Sequence, residues 1–153
     1  MSDSQTPQFE TDAEFLQLIQ PRDEKYVEEL EEDIFDHGCH EAICVWGSIL
    51  IDGHLRYSIC RKWDIRFNIR RLFFQSRDEA EAYICTEQLK RKDLTSEYKK
   101  YLIGRRFRAD MNIASADFLK NHPEKQLNAD GQISQKYVQK TEIATIILSL
   151  IHI

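Results

Sequence analysis

Hydrophobic residues recur along the chain at two different spacings, which predicts short strands alternating with helices. The clearest helical period runs from 23 to 37, where acids fill the face opposite the apolar one. The apolar positions on that face are Tyr26, Val27, Leu30 and Ile34. Asp23 is suited to cap the start of this helix, and Gly38 is suited to end it.

A hairpin and a second helix are predicted next. The segments 42–46 and 49–51 are rich in strand-forming residues and are separated by Gly47-Ser48, a turn sequence typical of a hairpin. Asp52-Gly53 should end the second strand. A helix then follows from about His54 to Trp63.

Three further segments complete the predicted domain. The short apolar segment 14–19, stopped by Pro21, favours a strand over a helix. Alternating apolar residues predict another strand within 65–74. Ser76 and Glu79 form a capping box, so 76–90 should be helical.

The C-terminal third is less strongly patterned. Thr95 should begin a helix that extends to about Arg108, whereas 109–139 is polar and weakly periodic, with a loop expected at 128–132. The segment 140–147 becomes apolar and helical again. The elements together predict an α/β (α+β) domain of alternating strands and helices, followed by a helical segment.

These patterns divide the chain into four parts. We expect a flexible leader at 1–12, the α/β domain at 13–94 and the helical segment at 95–147. The last six residues, 148–153, match what the end of a common sequencing transposon encodes in frame. We interpret them as an adapter artefact, with a short apolar helix as the alternative.

Composition narrows the class of protein. The 153 residues are 42% hydrophobic and 31% charged, which argues against wholesale disorder. No apolar run approaches the roughly 20 residues that span a bilayer, and no signal peptide is visible, so we expect a cytoplasmic protein without membrane partners. The four cysteines form no CxxC pair, which favours buried free thiols over two disulfides.

Charge is distributed unevenly along the chain. Residues 1–40 hold twelve acids against two bases, whereas 89–108 holds eight bases against two acids. A basic segment in an acidic protein can bind a polyanion such as nucleic acid. The alternative is a solvated helix face that pairs with the acidic N-terminal part.

The densest chemical pattern is ILIDGHLRYSIC, at 49–60. The turn at Gly53 leads directly into a helix, whose free amides and positive dipole end favour phosphate. Arg56 could clamp a phosphate oxygen, His54 could hydrogen-bond or transfer a proton, and Asp52 could hold a metal or orient a hydroxyl. A capped turn followed by a surface arginine is the structural alternative.

Four segments in order resemble the ParB N-terminal domain family, part of the ParB/sulfiredoxin superfamily. Gln20-Pro21-Arg22 is similar to its QPR box, and the helix ending at Gly38 before AICVW resembles its next element. IDGHLRY (51–57) occupies the position of the Gly-Glu-Arg-Arg or Asp-Gly-His-x-Arg box. EQLKRKDL (87–94) is similar to the Glu-Asn-x-Gln-Arg-x-Asp-Leu pattern, so the resemblance covers about 15–108.

The resemblance implies a compact α/β domain with a small mixed sheet and flanking helices. It also implies a nucleotide pocket and a role in plasmid or chromosome partition, or in the maintenance or regulation of a mobile element. Family members surround cytidine triphosphate and magnesium with these boxes. The nucleotide-binding candidates carried over by position are Gln20, Arg22, Gly53, His54, Arg56, Glu87, Gln88 and Arg91. Glu87 is the candidate magnesium ligand, and Asp52, His54 and Glu87 are the catalytic candidates for a nucleoside triphosphatase.

The boxes also depart from the family pattern. His54 and Leu55 stand where the Gly-Glu-Arg-Arg form has Glu and Arg, while Gln88 replaces Asn and Lys90 replaces Gln. The Asp-Gly-His-x-Arg form is closer to the free-serine kinases of the superfamily, so a small-molecule phosphotransferase is the alternative function. A sulfiredoxin is not expected, because His54 occupies the position of its thiol nucleophile.

The C-terminal part also fits the resemblance. ParB-like proteins continue into a helix-turn-helix, and 140–147 resembles its first helix, with one more packing helix as the alternative. DNA is therefore an expected partner of the full-length protein, and a second copy of the chain, as a homodimer, is another expected partner. The candidate DNA contacts are Lys90, Lys92, Lys99, Lys100, Arg105 and Arg106.

Overall fold

The structure is a computed structural model that describes residues 7–122. In chain order its elements are α1 (Ala13–Gln17), α2 (Glu24–His37), β1 (Ile43–Trp46), β2 (Ile49–Asp52), α3 (His54–Trp63), β3 (Ile69–Arg71), α4 (Arg77–Leu89) and α5 (Ser96–Asn121). The predicted loop at 128–132, the helix at 140–147 and the tail at 148–153 lie outside the described residues.

The strands form the expected small mixed sheet, in the order β2-β1-β3. β1 pairs with β2 antiparallel, with Val45 opposite Leu50, and with β3 parallel, with Val45 opposite Arg71. Gly47 occupies the hairpin turn at φ +60°, where a side chain would be strained. α3 follows β2 directly through Gly53, so the start of α3 lies at the end of β2, where the site is built.

Both faces of the sheet are covered. On one face, Cys44 and Ile51 pack with Phe15, Ile84 and Leu102 from α1, α4 and α5. On the other face, Ile43, Val45 and Leu50 pack with partly buried aromatic residues that include Tyr57 and Phe67. α2 and α3 pack together through Ile34, Ile59 and Cys60. These alternating positions place one helical layer on each side of the sheet, as the predicted α/β class requires.

The prediction of a strand at 14–19 is wrong, because this segment contains helix α1. Asp12 caps the helix, since its Oδ1 accepts hydrogen bonds from the amides of Glu14 and Phe15 at 3.0 Å each. Phe15 and Leu18 are buried three residues apart, whereas Leu16 is 45% exposed. That spacing is the helical period, which Pro21 and the shortness of the segment obscured in the sequence.

The flexible leader expected at 1–12 is contradicted for residues 7–12. Glu10 bridges to the hairpin: its amide donates to the Ser48 carbonyl at 2.8 Å, and its carbonyl accepts from the Leu50 amide at 2.9 Å. The ring of Phe9 packs on that of Tyr57 at 5.9 Å. The hairpin edge formed by β2 supplies both hydrogen bonds. The segment 7–12 is therefore held by backbone hydrogen bonds, although its side chains are mostly polar.

β3 lies within the predicted segment 65–74 and is three residues long, since the Ile65 amide bonds the Cys60 carbonyl at the end of α3, at 2.9 Å. The end of α5, by contrast, differs from the prediction. α5 continues 13 residues beyond Arg108, through a segment predicted to be weakly patterned. Ala109 is buried there. The side-chain amide of Asn112 donates a hydrogen bond through Nδ2 to the Asp78 carboxylate at the start of α4, at 2.8 Å.

The cysteines are free thiols, which confirms the preferred interpretation over two disulfides. Burial raises the pKa of Cys60 to about 12 and that of Cys85 to about 11, so both thiols stay protonated near neutral pH. Within the range 7–122, none of the helices is long and apolar enough to cross a bilayer.

Candidate functional site

A cavity of about 440 Å³ lies where the α1–α2 loop, the face of α2, the start of α3 and the end of α4 meet. Its volume is in the range of small-molecule sites. Seven of the eight nucleotide-binding candidates line it: Gln20, Arg22, Gly53, His54, Arg56, Gln88 and Arg91. Residues from three distant stretches of sequence therefore converge on one space.

Glu87 is the candidate that does not line the cavity. Its Oε1 accepts a hydrogen bond from Lys90 Nζ at 2.6 Å, while the neighbouring Gln88 is the buried residue. One helical position rotates a side chain by about 100°, so adjacent residues of a box face different directions. The site therefore includes Gln88 and leaves Glu87 outside its wall.

Gly53 forms the floor of the cavity and adopts φ +89°, a left-handed conformation that favours glycine. A Cβ at this position would lie 3.0 Å from Ile43 Cδ1 and 3.1 Å from Arg56 Nη2. Both the backbone conformation and the space require glycine. Within the described part of the chain, no side chain caps the start of α3, so its first amides have no side-chain acceptor there.

Arg56 is held against the Gly53 turn by groups on the β1 side. Its Nη1 lies 2.9 Å from Glu41 Oε2, and its Nη2 lies 3.3 Å from the Ala42 carbonyl and 3.5 Å from Asp52 Oδ2. The side chain is 19% exposed. These contacts fix the guanidinium near the helix start and leave Nε without a partner within the described range.

Asp93 joins the other two arginines and is the residue that the sequence did not assign to the site. Arg91 binds its carboxylate through Nε at 3.0 Å and Nη2 at 2.7 Å, and Arg22 Nη1 approaches it at 2.8 Å. Hydrogen bonds from Arg91, with the charge of Arg22 nearby, hold the pKa of Asp93 well below its ordinary value. The sequence did offer one indication of this role, because Asp93 lies within the fourth box, two residues after Arg91.

The same network ties the α1–α2 loop to the α4–α5 loop. Arg91 Nη1 donates to the Gln20 carbonyl at 2.8 Å and to Gln88 Oε1 at 3.0 Å. The Gln20 side chain bonds the Asp93 carbonyl and the Thr95 amide at 3.1 and 2.9 Å. Gln20 and Arg91 therefore position the cavity wall, whereas Arg22 keeps more of its five donors available.

His54 is largely buried at the start of α3, and neither ring nitrogen has a hydrogen-bond partner among residues 7–122. Burial lowers the pKa of His54, and the negative charge of Asp52 only partly opposes that shift. The imidazole is therefore neutral at pH 7, with one nitrogen that can accept a proton.

Apart from Asp52 and Ser58, the rest of the wall is apolar, and part of it comes from the apolar face predicted for α2. Tyr26 is 39% exposed and faces the cavity beneath Arg22, whose guanidinium carbon lies 4.3 Å from the ring centroid. The apolar lining residues are Leu16, Ile19, Pro21, Tyr26, Val27, Leu30 and Leu55. A cationic end and an apolar side in one cavity suit an amphipathic ligand with an anionic group and a planar or apolar body.

The basic residues proposed as DNA contacts fall into two groups. Lys90, Arg105 and Arg106 pair within the chain, with Glu87, Glu81 and Asp110. Arg105 also donates to the Tyr101 hydroxyl, so its role in the fold is to hold α5 against α4. Lys92, Lys99 and Lys100 are exposed and make no ion pair with residues in 7–122.

In the described part of the chain, no group of three or more His, Cys, Asp and Glu side chains is placed to hold a metal ion. Asp52 is the one carboxylate among the cavity-lining residues. A single carboxylate is enough for Mg²⁺ when phosphate oxygens of the ligand and water fill most of its coordination sphere. It is not enough for a metal whose ligands all come from the protein.

Comparisons with known proteins support the fold. No family model matches the chain, and no curated protein matches it. Two solved structures of a pNOB8-like ParB N-domain are similar to it, with TM-scores of 0.54 and 0.53 at 21% and 22% identity. Each match covers 81% of this chain and 52% or 48% of the solved chain, so this chain spans about half their length. The chain has the fold of ParB N-domains, as the ordered boxes led us to expect.

Proposed function

We propose that this chain, which has the fold of ParB N-domains, is a ParB-like partition protein whose cavity binds a nucleoside triphosphate. Its role would be in partition of a plasmid or chromosome, or in maintaining a mobile element. DNA association is proposed for the protein through its exposed lysines, which would contact phosphates rather than bases.

The observation that carries the proposal is the set of buried polar atoms left unpaired at the cavity. In residues 7–122, the buried side-chain nitrogens and oxygens without a protein partner are His54 Nδ1, His54 Nε2 and Arg56 Nε. All three belong to residues that line the cavity. Buried polar atoms normally have partners, because leaving one unpaired costs about 1–3 kcal/mol, so a bound polar ligand is the natural partner.

The chemistry of the wall favours a polyphosphate at the end near Gly53. The start of α3 offers uncapped amides, and Arg22 and Arg56, which both line the cavity, add two guanidinium groups. The apolar wall near Tyr26 is suited to a base or sugar. Asp52, with phosphate oxygens and water, would be the protein ligand for Mg²⁺ in place of Glu87.

Arg22→Ala is expected to weaken binding of Mg²⁺-CTP or Mg²⁺-ATP at least tenfold, since a charge-assisted hydrogen bond contributes about 1.5–3 kcal/mol. Isothermal titration calorimetry on the full chain measures the change. Lys92→Ala is the matched control, because Lys92 is an exposed cation nearby that does not line the cavity.

The control should retain the affinity of the parent protein within about twofold, as expected of a screened surface charge. Equal losses in both variants would indicate nonspecific attraction between charges. The absence of binding by the parent protein for CTP, ATP, GTP and UTP with Mg²⁺ would reject the nucleotide pocket.

The neutral imidazole of His54 favours one second candidate, a small-molecule phosphotransferase. A neutral base beside a phosphate site could accept the proton of an attacking hydroxyl, with Arg56 stabilising the transferred phosphoryl group. Incubation with labelled ATP or ADP and serine should then give phosphoserine, and His54→Gln should reduce that rate by about 10²–10⁴-fold. A parent protein that binds nucleotide but transfers no label to serine or its analogues would retire this candidate and leave the binding function intact.

A further inference from the structure

β3 forms an open edge of the sheet. In the strand order β2-β1-β3 it lies at one end, whereas the other end, at β2, is bridged by Glu10. Among residues 7–122, β1 is the only strand that pairs with β3. An open strand edge presents unpaired amides and carbonyls, so another strand can pair with it.

Two residues of β3 direct their backbone groups outward from this edge. On the inner side, the Leu72 amide donates to the Val45 carbonyl of β1 at 2.8 Å. Backbone groups alternate in direction along a strand, so Ile69 and Arg71 direct their amides and carbonyls away from β1. Within the range 7–122 these outward groups make no hydrogen bond. The edge therefore offers both donors and acceptors.

The side chains along this edge are cationic. The segment 65–77 holds four arginines and no acid. Arg77 is paired with acids at the start of α1, whereas Arg66, Arg70 and Arg71 are exposed and make no ion pair with residues of the described range. In a protein with a net charge of −5, this segment is a local positive surface.

The cationic side chains flank both faces of the edge strand. Leu72 packs against the core cluster on one face of the sheet, and Ile69 packs against the cluster on the other face. Because side chains alternate along a strand, Arg70 lies on the Leu72 face and Arg71 lies on the Ile69 face. Phe73 follows and is 89% exposed. We define the cationic edge as the outward backbone of Ile69 and Arg71 with the side chains of Arg66, Arg70, Arg71 and Phe73.

We propose that the cationic edge binds an acidic, extended segment of a partner protein, which pairs with β3 as an added strand of the sheet. The backbone of such a segment supplies acceptors for the outward amides and donors for the outward carbonyls. Its Asp or Glu side chains pair with the arginines, and an apolar residue packs on Phe73. None of the residues of the cationic edge lines the cavity, so this binding is separate from that of a nucleotide.

Two other occupants fit the cationic edge less well. A nucleic-acid backbone offers phosphate oxygens, which accept hydrogen bonds but do not donate them, so the outward carbonyls of Ile69 and Arg71 would stay unpaired. The same edge of a second copy would place arginines opposite arginines, and like charges directly opposite destabilise strand pairing. Charged side chains on an edge strand can also act only to prevent pairing, and the experiment below distinguishes that role.

Affinity selection of peptides on the immobilised full chain tests the proposal. The probe is a library of peptides about ten residues long, longer than the roughly 5–6 residues of a common strand. Each position holds Asp, Glu, Lys, Thr, Val, Ile or Phe. Peptides that combine acids with apolar residues should be enriched, and lysine should be depleted. Fluorescence polarisation then measures the affinity of the most enriched peptide for the full chain and its variants.

Reversal of charge at the edge should weaken binding of that peptide. Arg70→Glu and Arg71→Glu are each expected to lower the affinity about tenfold or more, since each removes a charge-assisted hydrogen bond and adds a repelling charge. Arg108→Glu is the matched control, because Arg108 is an exposed arginine on α5 outside the cationic edge. It should keep the affinity within about twofold, as expected of a screened charge elsewhere on the surface.

Arg71→Pro and Arg71→Ala together test the backbone pairing. Both remove the side-chain charge, but only proline removes the outward amide, and it spares the hydrogen bonds to β1 because that amide does not face β1. Proline should lower the affinity about fivefold or more beyond the effect of alanine, the usual size for one lost hydrogen bond. The selected peptide with its central amides N-methylated should also lose binding, which tests the pairing even if Arg71→Pro does not fold.

Circular dichroism verifies that each variant is folded. Failure to enrich acidic peptides would overturn the proposal and would leave the arginines as a protection of the edge. Affinity that is unchanged by both charge reversals would also overturn it. The same holds if the N-methylated peptide binds as well as its parent, or if Arg70 and Arg71 bind a single-stranded oligodeoxynucleotide and not the peptide.

Discussion

Phe15→Ala is expected to lower the free energy of unfolding by about 3–5 kcal/mol, the usual range for removing a buried phenylalanine ring. Phe15 is 1% exposed and belongs to the cluster that joins α1 to the sheet, α4 and α5. The Arg77 guanidinium lies 4.3 Å from its ring centroid and also binds Asp12, the cap of α1. Removing the ring leaves a cavity in the main core and removes the surface on which Arg77 rests.

Urea unfolding followed by circular dichroism measures this loss. Leu16→Ala is the matched control, because Leu16 is adjacent on the same helix and is 45% exposed, so its loss should stay below about 1 kcal/mol. A strand at this position would instead pair Leu16 with Leu18 on the buried face. Equal losses for the two variants would contradict the helical assignment of 13–17.

Gly53→Ala is expected to cost about 2–4 kcal/mol, through left-handed backbone strain of about 1–2 kcal/mol and the crowding of a packed site. The added Cβ would meet Ile43 Cδ1 at 3.0 Å, and Ile43 is fully buried in β1 and has no free space to move. It would also press on the Arg56 guanidinium at 3.1 Å. The variant should therefore lose stability and displace one of the arginines of the cavity.

Gly47→Ala separates the two contributions. Gly47 also has a positive φ, but nothing lies within 4 Å of a Cβ built there. This variant should lower the free energy of unfolding by about 1–2 kcal/mol, which is the cost of left-handed backbone strain without the cost of crowding. Thermal unfolding of both variants gives the comparison, and identical losses would show that the space above Gly53 is not restrictive.

Local sequence patterns predicted most of the elements correctly. Asp23, Ser76 and Thr95 each cap the helix that follows, because a short polar side chain can satisfy free amides whatever packs around it. The hairpin at 43–52 and the turn at Gly53 also follow from local turn chemistry. These features depend on neighbours within about four positions, which a sequence displays directly.

The errors arose where distant parts of the chain decide the structure. The segment 14–19 is too short for its period to distinguish helix from strand, and its burial against α4 and α5 selects the helix. Residues 7–12 are polar and gave no strand pattern, yet the free edge of β2 pairs with Glu10. The weakly patterned part of α5 is held by α4, through contacts such as Asn112 with Asp78.

For the candidate site, the sequence by itself determined which residue types are available: glycine at the turn, arginines in three boxes, and a histidine at the helix start. Only the tertiary structure decided how they are used. It brings Arg22 and Arg91 to the same carboxylate of Asp93, turns Glu87 away to Lys90, and buries His54 without a partner. The physical reason is that side-chain direction and burial are set by packing between elements far apart in the chain, whereas turns and caps are set by neighbouring residues.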